Sequence, residues 1–270
     1  MLWLLWFTLG AALGSFLNVC IHRLPREESI IRPGSRCPSC KRPIAWRDNI
    51  PVISYLALRA RCRHCRKPIS WRYPVVELLT GAATVAVLHR FGMGPAGLVY
   101  LAFVCGLIVC SFVDLDFRII PDEISIGGMV VGLLASFFIP ELHGAGSGWL
   151  GLGRSAIGLL VGGGMLFVTG LIGDFLFKKE SMGFGDVKLL AMAGSILGWK
   201  LALLTFFLSP VLAVVPGLFV LLLKKSHEIP YGPFLSIGML ASLFYGEELI
   251  RLSGMDDVVR VLWEYYAWPR

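Results

Sequence analysis

Long apolar segments alternate with short polar turns along most of the chain. The first segment runs from Leu2 to Ile21, and the predicted helices after it lie at about 74–91, 95–114, 123–139, 155–177, 186–199, 200–223 and 233–252. Most of these segments contain or approach the ~17 to 25 residues that cross ~30 Å of hydrocarbon. The pattern predicts an all-α polytopic membrane protein with about eight transmembrane helices. The turn near Gly198 is weakly marked, so 186–223 forms either two helices or one broken helix with a re-entrant piece.

The composition supports this class of protein and excludes others. Of the 270 residues, 56% are hydrophobic and 16% are charged, and the mean hydropathy is +0.72. A soluble nucleotide-binding α/β enzyme or a β-sandwich has a more polar composition. Many of the 31 glycines and 15 prolines lie inside apolar segments, where they are typical of closely packed or broken membrane helices.

One polar loop, residues 22–73, interrupts the apolar pattern and sets the predicted orientation. It carries 13 of the 25 Lys and Arg residues beside only three acidic residues. If successive loops lie on opposite sides of the membrane, 19 Lys and Arg residues fall on the side of this loop and three on the other side. A basic excess beside membrane helices is typical of the cytoplasmic side. We predict that this loop faces the cytosol and that both termini lie on the opposite side of the membrane. No groove-reading helix or stacking platform accompanies the charge, so we expect no nucleic-acid partner.

The loop contains two C-x-x-C pairs in a doubled motif. At an offset of 25 residues, each pair is followed by two basic residues and a Pro-Ile-x-Trp-Arg segment. This spacing is typical of a structural zinc site with four thiolate ligands, which leaves no open position for catalysis. The alternatives are two disulfides or redox chemistry, which a reducing cytosol disfavours. The predicted ligands of a small zinc-ribbon-like loop are Cys37, Cys40, Cys62 and Cys65, whereas His64 is predicted to be solvated.

Carboxylates at the predicted inner ends of the helices are the main catalytic candidates, because ionisable groups at membrane depth are costly and often functional. Asp114 directly continues an apolar helix, and Asp186 follows the glycine turn Gly183-Phe-Gly185. Two carboxylates that meet can share a proton, so that one activates water and the other acts as an acid. A helix cap is the alternative role of Asp186. Asp122 is predicted to be a cap, and Asp116 to be solvated.

The chain resembles the bifunctional type IV prepilin leader peptidase/N-methyltransferases, which are G-x-G-D aspartic proteases. The motifs that carry the resemblance cover nearly the whole chain in the order of that family. They are Gly14-Ser-Phe-Leu-Asn18-Val, the doubled cysteine motif, Tyr73-Pro-Val-Val-Glu77-Leu-Leu-Thr-Gly81, Asp114-x5-Ile120-Pro121-Asp122, Gly183-Phe-Gly185-Asp186 and Pro230-Tyr-Gly-Pro233.

The resemblance implies two reactions in the bacterial inner membrane. The first removes the basic leader of a type IV prepilin or pseudopilin after a glycine, and the second methylates the new N-terminus with S-adenosylmethionine. The catalytic aspartates of the family correspond to Asp114 and Asp186, and the supporting motif positions to Gly183, Gly185 and Pro121. The expected partners are the prepilin and membrane lipid, with the cysteine loop and the active site facing the cytoplasm.

The residues for methyl transfer are less clearly marked. A base must deprotonate the amine, and the best candidates at the cytosolic helix ends are Glu77 and, facing it from the first helix, Asn18. Helix packing or an ion pair is an equally good account of Glu77. Pro230-Tyr-Gly-Pro233 forms either an extended stretch that binds substrate backbone or a simple helix start.

The predicted domain organisation follows these features: 1–21 is the first transmembrane helix, 22–73 the cytoplasmic zinc-binding loop, 74–252 the helical peptidase core, and 253–270 the C-terminal tail. Two other functions compete with this reading. A transporter would use the acidic residues as an ion pathway and the loop as a regulatory lid, and a membrane scaffold would have no chemistry. Transporters usually carry their charges near the bilayer midplane, whereas the acidic residues here cluster at one interface.

Overall fold

The computed structural model describes residues 1–178, 182–224 and 230–254. In these ranges the chain is mostly helical, which confirms the predicted all-α class, and the only β-type pairs are two isolated bridges in the cysteine loop. The helices are α1 (Leu2–Arg23), α2 (Ile53–Ala57), α3 (Arg72–Phe91), α4 (Pro95–Phe117), α5 (Asp122–Phe138), α6 (Gly148–Phe177), α7 (Phe184–Leu197), α8 (Trp199–Lys224) and α9 (Gly232–Ser253).

Five helices of the described chain are long and apolar enough to cross a membrane. They are α1, α3, α4, α6 and α8. The helix α7 has only 14 residues, and at 1.5 Å per residue it is about 21 Å long, which is shorter than a hydrocarbon core of about 30 Å. Several membrane-spanning helices are therefore supported, but the predicted number of about eight is not confirmed.

One helix boundary differs from the predicted one, and another decides between the two alternatives for residues 186–223. The helix α6 begins at Gly148 rather than near 155, because Ser147 caps it by accepting a hydrogen bond from the Leu150 N–H. Gly198 has a φ of +85°, a conformation that glycine adopts without steric cost, and it separates α7 from α8. The segment 186–223 thus belongs to two helices.

The chain divides into two compact units, residues 1–128 and 129–270. In the first unit, α1 packs against α3 at small residues. A Cβ built on Gly14 would lie 2.7 Å from the Cα of Glu77, so only glycine permits this approach of the two backbones. The contact fixes α1 and α3 at the level of Asn18 and Glu77.

In the second unit, α6 packs against α7 by the same means. A Cβ on Gly194 would collide with the carbonyl oxygen of Gly158. The Ser155 hydroxyl also donates a hydrogen bond to the carbonyl oxygen of Ser195 at 2.7 Å. Small and hydroxylated residues therefore hold the short α7 against α6, as is typical of membrane helices.

Candidate metal centre and active-site residues

The doubled cysteine motif folds as two equivalent backbone turns. In the first turn, the Cys37 N–H donates to the carbonyl of Arg42 at 3.0 Å, and in the second the Cys62 N–H donates to that of Lys67 at 2.9 Å. Each turn also forms one isolated bridge, Arg36 with Pro43 and Arg61 with Pro68. The 25-residue offset in the sequence is therefore a structural repeat.

The four cysteine sulfurs of the two turns converge. They lie within 4.8 Å of one another, and Cys37 Sγ is 3.8 Å from Cys65 Sγ. A tetrahedral zinc site with Zn–S bonds of about 2.3 Å requires sulfur separations of about 3.8 Å, so the cluster fits the geometry of Zn²⁺. The N–H groups of Cys65 and His64 lower the pKa of Cys62 to about 6, which favours a thiolate at this one position, while the pKa of the neighbouring Cys65 is raised to about 11. The exposed His64 contacts Arg42 and lies outside the cluster, as predicted.

A cavity of about 430 Å³ lies in the first unit between α1, α3 and the cysteine loop. Its size is within the usual range for small-molecule sites. Asn18 and Glu77, the two methyl-transfer candidates, both line it. The structure therefore brings these residues to one cavity, while their role in methyl transfer stays a prediction.

Both side chains are buried and held in place. Glu77 is 7% exposed and accepts a hydrogen bond from the Val52 N–H at 2.8 Å, while the Ser15 hydroxyl also contacts its carboxylate. Asn18 is 3% exposed and donates from Nδ2 to the carbonyls of Gly14, at 3.2 Å, and Tyr73, at 3.1 Å. The bond from Val52 joins Glu77 to the cysteine loop, a connection that the sequence pattern did not indicate.

Asp114 lies in the last turn of α4 in the first unit. It is 6% exposed, as its position in the apolar pattern predicts, and its carbonyl accepts the N–H of Arg118, where the helix ends. Asp116 is more exposed and forms an ion pair with Arg72, so it is paired and not simply solvated as predicted. Asp122 is the first residue of α5, whereas the prediction placed it as the N-cap, one position before the helix.

Asp186 lies in the first turn of α7 in the second unit. Its N–H donates to the carbonyl of Gly183, the N-cap residue, at 3.1 Å, and Gly185 belongs to the same turn. A Cβ on Gly183 would meet Asp186 Oδ2 at an ordinary 3.6 Å, and no backbone atom of the described residues beyond its two chain neighbours would lie within 4 Å of it. Burial raises the pKa of Tyr231 to about 12, and the nearby Asp186 carboxylate adds to the shift.

The segment Pro230-Tyr-Gly-Pro233 is a helix start. Tyr231 is the N-cap of α9, and Gly232 and Pro233 are its first residues, a position where proline is favoured. The alternative of an extended substrate-binding stretch is therefore wrong for these residues. Asp114 and Asp186 belong to different units, and their pairing stays a prediction.

Together, the apolar helices, the buried carboxylates and the four-cysteine cluster define a multi-pass membrane protein with the features of an enzyme. Two family models match it, the Bacterial Peptidase A24 N-terminal domain at residues 8–91 and the Type IV leader peptidase family at residues 101–218. The first range contains the cysteine cluster, Asn18 and Glu77, and the second contains Asp114 and Asp186. No solved structure matches the chain.

Similar curated proteins carry one name, Prepilin leader peptidase/N-methyltransferase. The chain is 35% identical to the protein of Aeromonas hydrophila, with 91% of each chain covered, and 33% identical to that of Pseudomonas aeruginosa, with 90% of each covered. It is 40% identical to the protein of Myxococcus xanthus, over 80% of this chain and 62% of that relative. The chain belongs to the type IV leader peptidase family, which confirms the resemblance seen in its motifs.

Proposed function

We propose that the chain removes the leader peptide of type IV prepilins or pseudopilins and then methylates the new N-terminus. The observation that carries this proposal is that one chain matches both an N-terminal domain model and the leader peptidase model, and that it aligns with relatives named for both activities over 90% or more of their length. Each matched range contains its own set of candidate residues. The two reactions are therefore assigned to the two parts of the chain.

Peptide cleavage is assigned to Asp114 and Asp186. In an aspartate pair that shares one proton, the ionised carboxylate activates water and the protonated one donates to the scissile carbonyl or the leaving amine. The burial of Asp114 at the end of an apolar helix supports this role, because an ionisable group in such a position is costly and often functional. Pro121, Gly183 and Gly185 are assigned to the backbone turns that carry the two aspartates.

Methyl transfer is assigned to the cavity of the first unit, with Glu77 as the base and Asn18 beside it. Glu77 takes a proton from the substrate ammonium, and the freed lone pair on nitrogen forms the bond to the methyl carbon. When bound, S-adenosylmethionine would supply that methyl group from its sulfonium, and the electrons of the broken C–S bond would stay on sulfur. Zn²⁺ held by the four cysteines has a structural role, because four thiolates leave no position for a reacting ligand.

We further propose the bacterial inner membrane as the location, with the cysteine loop, residues 22–73, in the cytosol and the peptidase core in 74–252. The basic loop supports this orientation. A prepilin with a charged leader in the cytosol and an apolar stem in the bilayer presents its cleavage point at the inner interface. Membrane lipid is accordingly the second partner.

This orientation predicts where reporter fusions are active. A cytosolic fluorescent reporter fused after Arg59 is expected to be active, and an alkaline phosphatase fused there inactive, with the opposite result after Gly146. Lys179, also predicted to be cytosolic, lies outside the described residues. Phosphatase activity at Arg59 would contradict both the orientation and the assignment of the cysteines to zinc rather than disulfides.

The activity itself is tested by mass spectrometry of a substrate. Purified protein in detergent, incubated with a prepilin, is expected to remove the leader, and addition of S-adenosylmethionine is expected to add one methyl group to the product. A control without enzyme should leave the substrate mass unchanged. A transporter or a scaffold would leave both masses unchanged, so that outcome would contradict the proposal.

A further inference from the structure

One wall of the cavity presents a buried acceptor that has no partner within the described protein. Asn18 uses Nδ2 for two carbonyls, which fixes the orientation of its amide, and its Oδ1 is buried without a hydrogen bond. An unpartnered buried acceptor is energetically unfavourable. An acceptor in this state, on a residue that lines a cavity, indicates a ligand that donates a hydrogen bond.

Glu77 adds a second acceptor to the same wall. Tyr73, whose carbonyl binds Asn18, lies one helical turn before Glu77, and Gly14, which contacts Glu77, lies one turn before Asn18. The two side chains are therefore at the same level of the α1–α3 contact. A carboxylate can accept about four hydrogen bonds, so the contacts with Val52 and Ser15 leave capacity for a ligand.

The backbone at Val52 is strained in the conformation that holds Glu77. Val52 has a φ of +60° and a ψ of −49°, and the Ile53 N–H donates to the carbonyl of Pro51 at 2.6 Å, which defines a γ-turn. Positive φ is unfavourable for a β-branched residue, and such strain is often found at functional sites. The turn directs the Val52 N–H to Glu77 Oε2.

Basic residues also line the cavity, but the structure directs several of them to other partners. Arg23 donates to the carbonyls of Ser29 and Pro33, at 2.7 and 2.6 Å. Arg63 binds both carboxylate oxygens of Asp48, and Arg72 pairs with Asp116. At Asn18 and Glu77 the wall formed by α1 and α3 thus presents acceptors, while the three guanidinium groups just described are bound elsewhere. Arg36, Arg42 and Lys67 also line the cavity.

We propose that this wall is a binding subsite for a primary ammonium group, with Asn18 Oδ1 and the Glu77 carboxylate as its acceptors. The inference rests on the proposed methyl transfer and identifies what the cavity recognises. Two sources carry this chemistry, the new N-terminus of the cleaved prepilin and the amino-acid end of the methyl donor. If the new N-terminus is the occupant, its ammonium is bound before its proton moves to Glu77, and if the donor is the occupant, Glu77 is a binding residue and not the base.

Binding measurements on the full chain in detergent test the subsite. The probes are a short peptide with a free N-terminal amine, the same peptide with its amine acetylated, and S-adenosylhomocysteine, which keeps the ammonium of the donor. Hydrogen bonds to charged groups contribute about 1.5–3 kcal/mol, which corresponds to roughly 10- to 100-fold in affinity. We expect the wild type to prefer the free-amine peptide by at least about tenfold on this basis.

The variants Asn18→Leu and Glu77→Gln are expected to remove that preference and to leave binding of the acetylated peptide unchanged. Glu28→Gln, at an exposed position of the loop that does not line the cavity, is the matched control and should behave as wild type. Zinc content and leader cleavage, measured for each variant, show that the protein is folded. If the variants instead weaken the binding of S-adenosylhomocysteine, the ammonium of the donor occupies the subsite.

The subsite would be overturned if the wild type bound the free-amine and the acetylated peptide equally and neither variant weakened the binding of any of the three probes. That failure is distinct from a failure of the proposed function, because the wild type would still methylate a cleaved prepilin. If the wild-type protein does not methylate a cleaved prepilin, the proposed function is contradicted, whatever the result of the peptide-binding measurements.

Discussion

Replacing Asp114 or Asp186 with asparagine is expected to abolish nearly all leader cleavage. If the two carboxylates share one proton, each is needed in a different protonation state, and asparagine can adopt neither. The double variant should therefore be little worse than either single variant, since the residues act as a unit. Methylation of a pre-cleaved peptide should persist in both, because its candidate residues lie in the matched N-terminal range. The assay is leader removal from a purified prepilin at several pH values.

Two neighbouring aspartates are the controls for this prediction. Asp116→Asn removes an exposed ion pair with Arg72, and Asp122→Asn removes a charge from the first turn of α5. The charge at a helix N-terminus contributes about 0.3–1 kcal/mol, so Asp122→Asn should remain active with a small loss of stability. Substantial cleavage by Asp114→Asn would move the assignment to Asp116 or Asp122. Substantial cleavage by Asp186→Asn would remove the aspartic-protease proposal.

Replacing Cys40 or Cys65 with serine is expected to abolish methylation while leaving most of the leader cleavage intact. The loop has little apolar content, so a metal ion would supply much of its folding free energy. Loss of one thiolate should release bound zinc and disorder the turn at Val52, which holds Glu77 through a 2.8 Å hydrogen bond. Zinc content by elemental analysis should fall from about one per chain, the stoichiometry of one four-thiolate site.

Cys105→Ser is the matched control, since Cys105 lies in α4 and outside the sulfur cluster. It should keep its zinc and both activities. Full methylation by metal-free protein, or by Cys40→Ser without zinc, would contradict a structural role of the metal in this reaction.

The local sequence determined the helices and the two cysteine turns, and both could be predicted. Apolar segments near the length of a membrane crossing form helices whatever their neighbours, because a backbone in hydrocarbon must satisfy its own hydrogen bonds. The doubled motif determined the two turns, since each cysteine pair and its following residues form local hydrogen bonds within a few positions. The burial of Asp114 followed from its place at the end of an apolar helix. Each of these features depends on residues close together in the chain.

Other features were decided by contacts between distant segments, which no local pattern encodes. The Val52 turn holds Glu77 across 25 positions, and Asn18 acquires its unpartnered oxygen because Tyr73, 55 positions later, binds its amide nitrogen. The ion pair of Arg72 with Asp116 joins α3 to α4 in the same way. The sequence by itself therefore determined which residues are candidates for the chemistry. Only the tertiary structure brought Asn18 and Glu77 together in one cavity, because the packing of α1 against α3 sets which of their side chains meet.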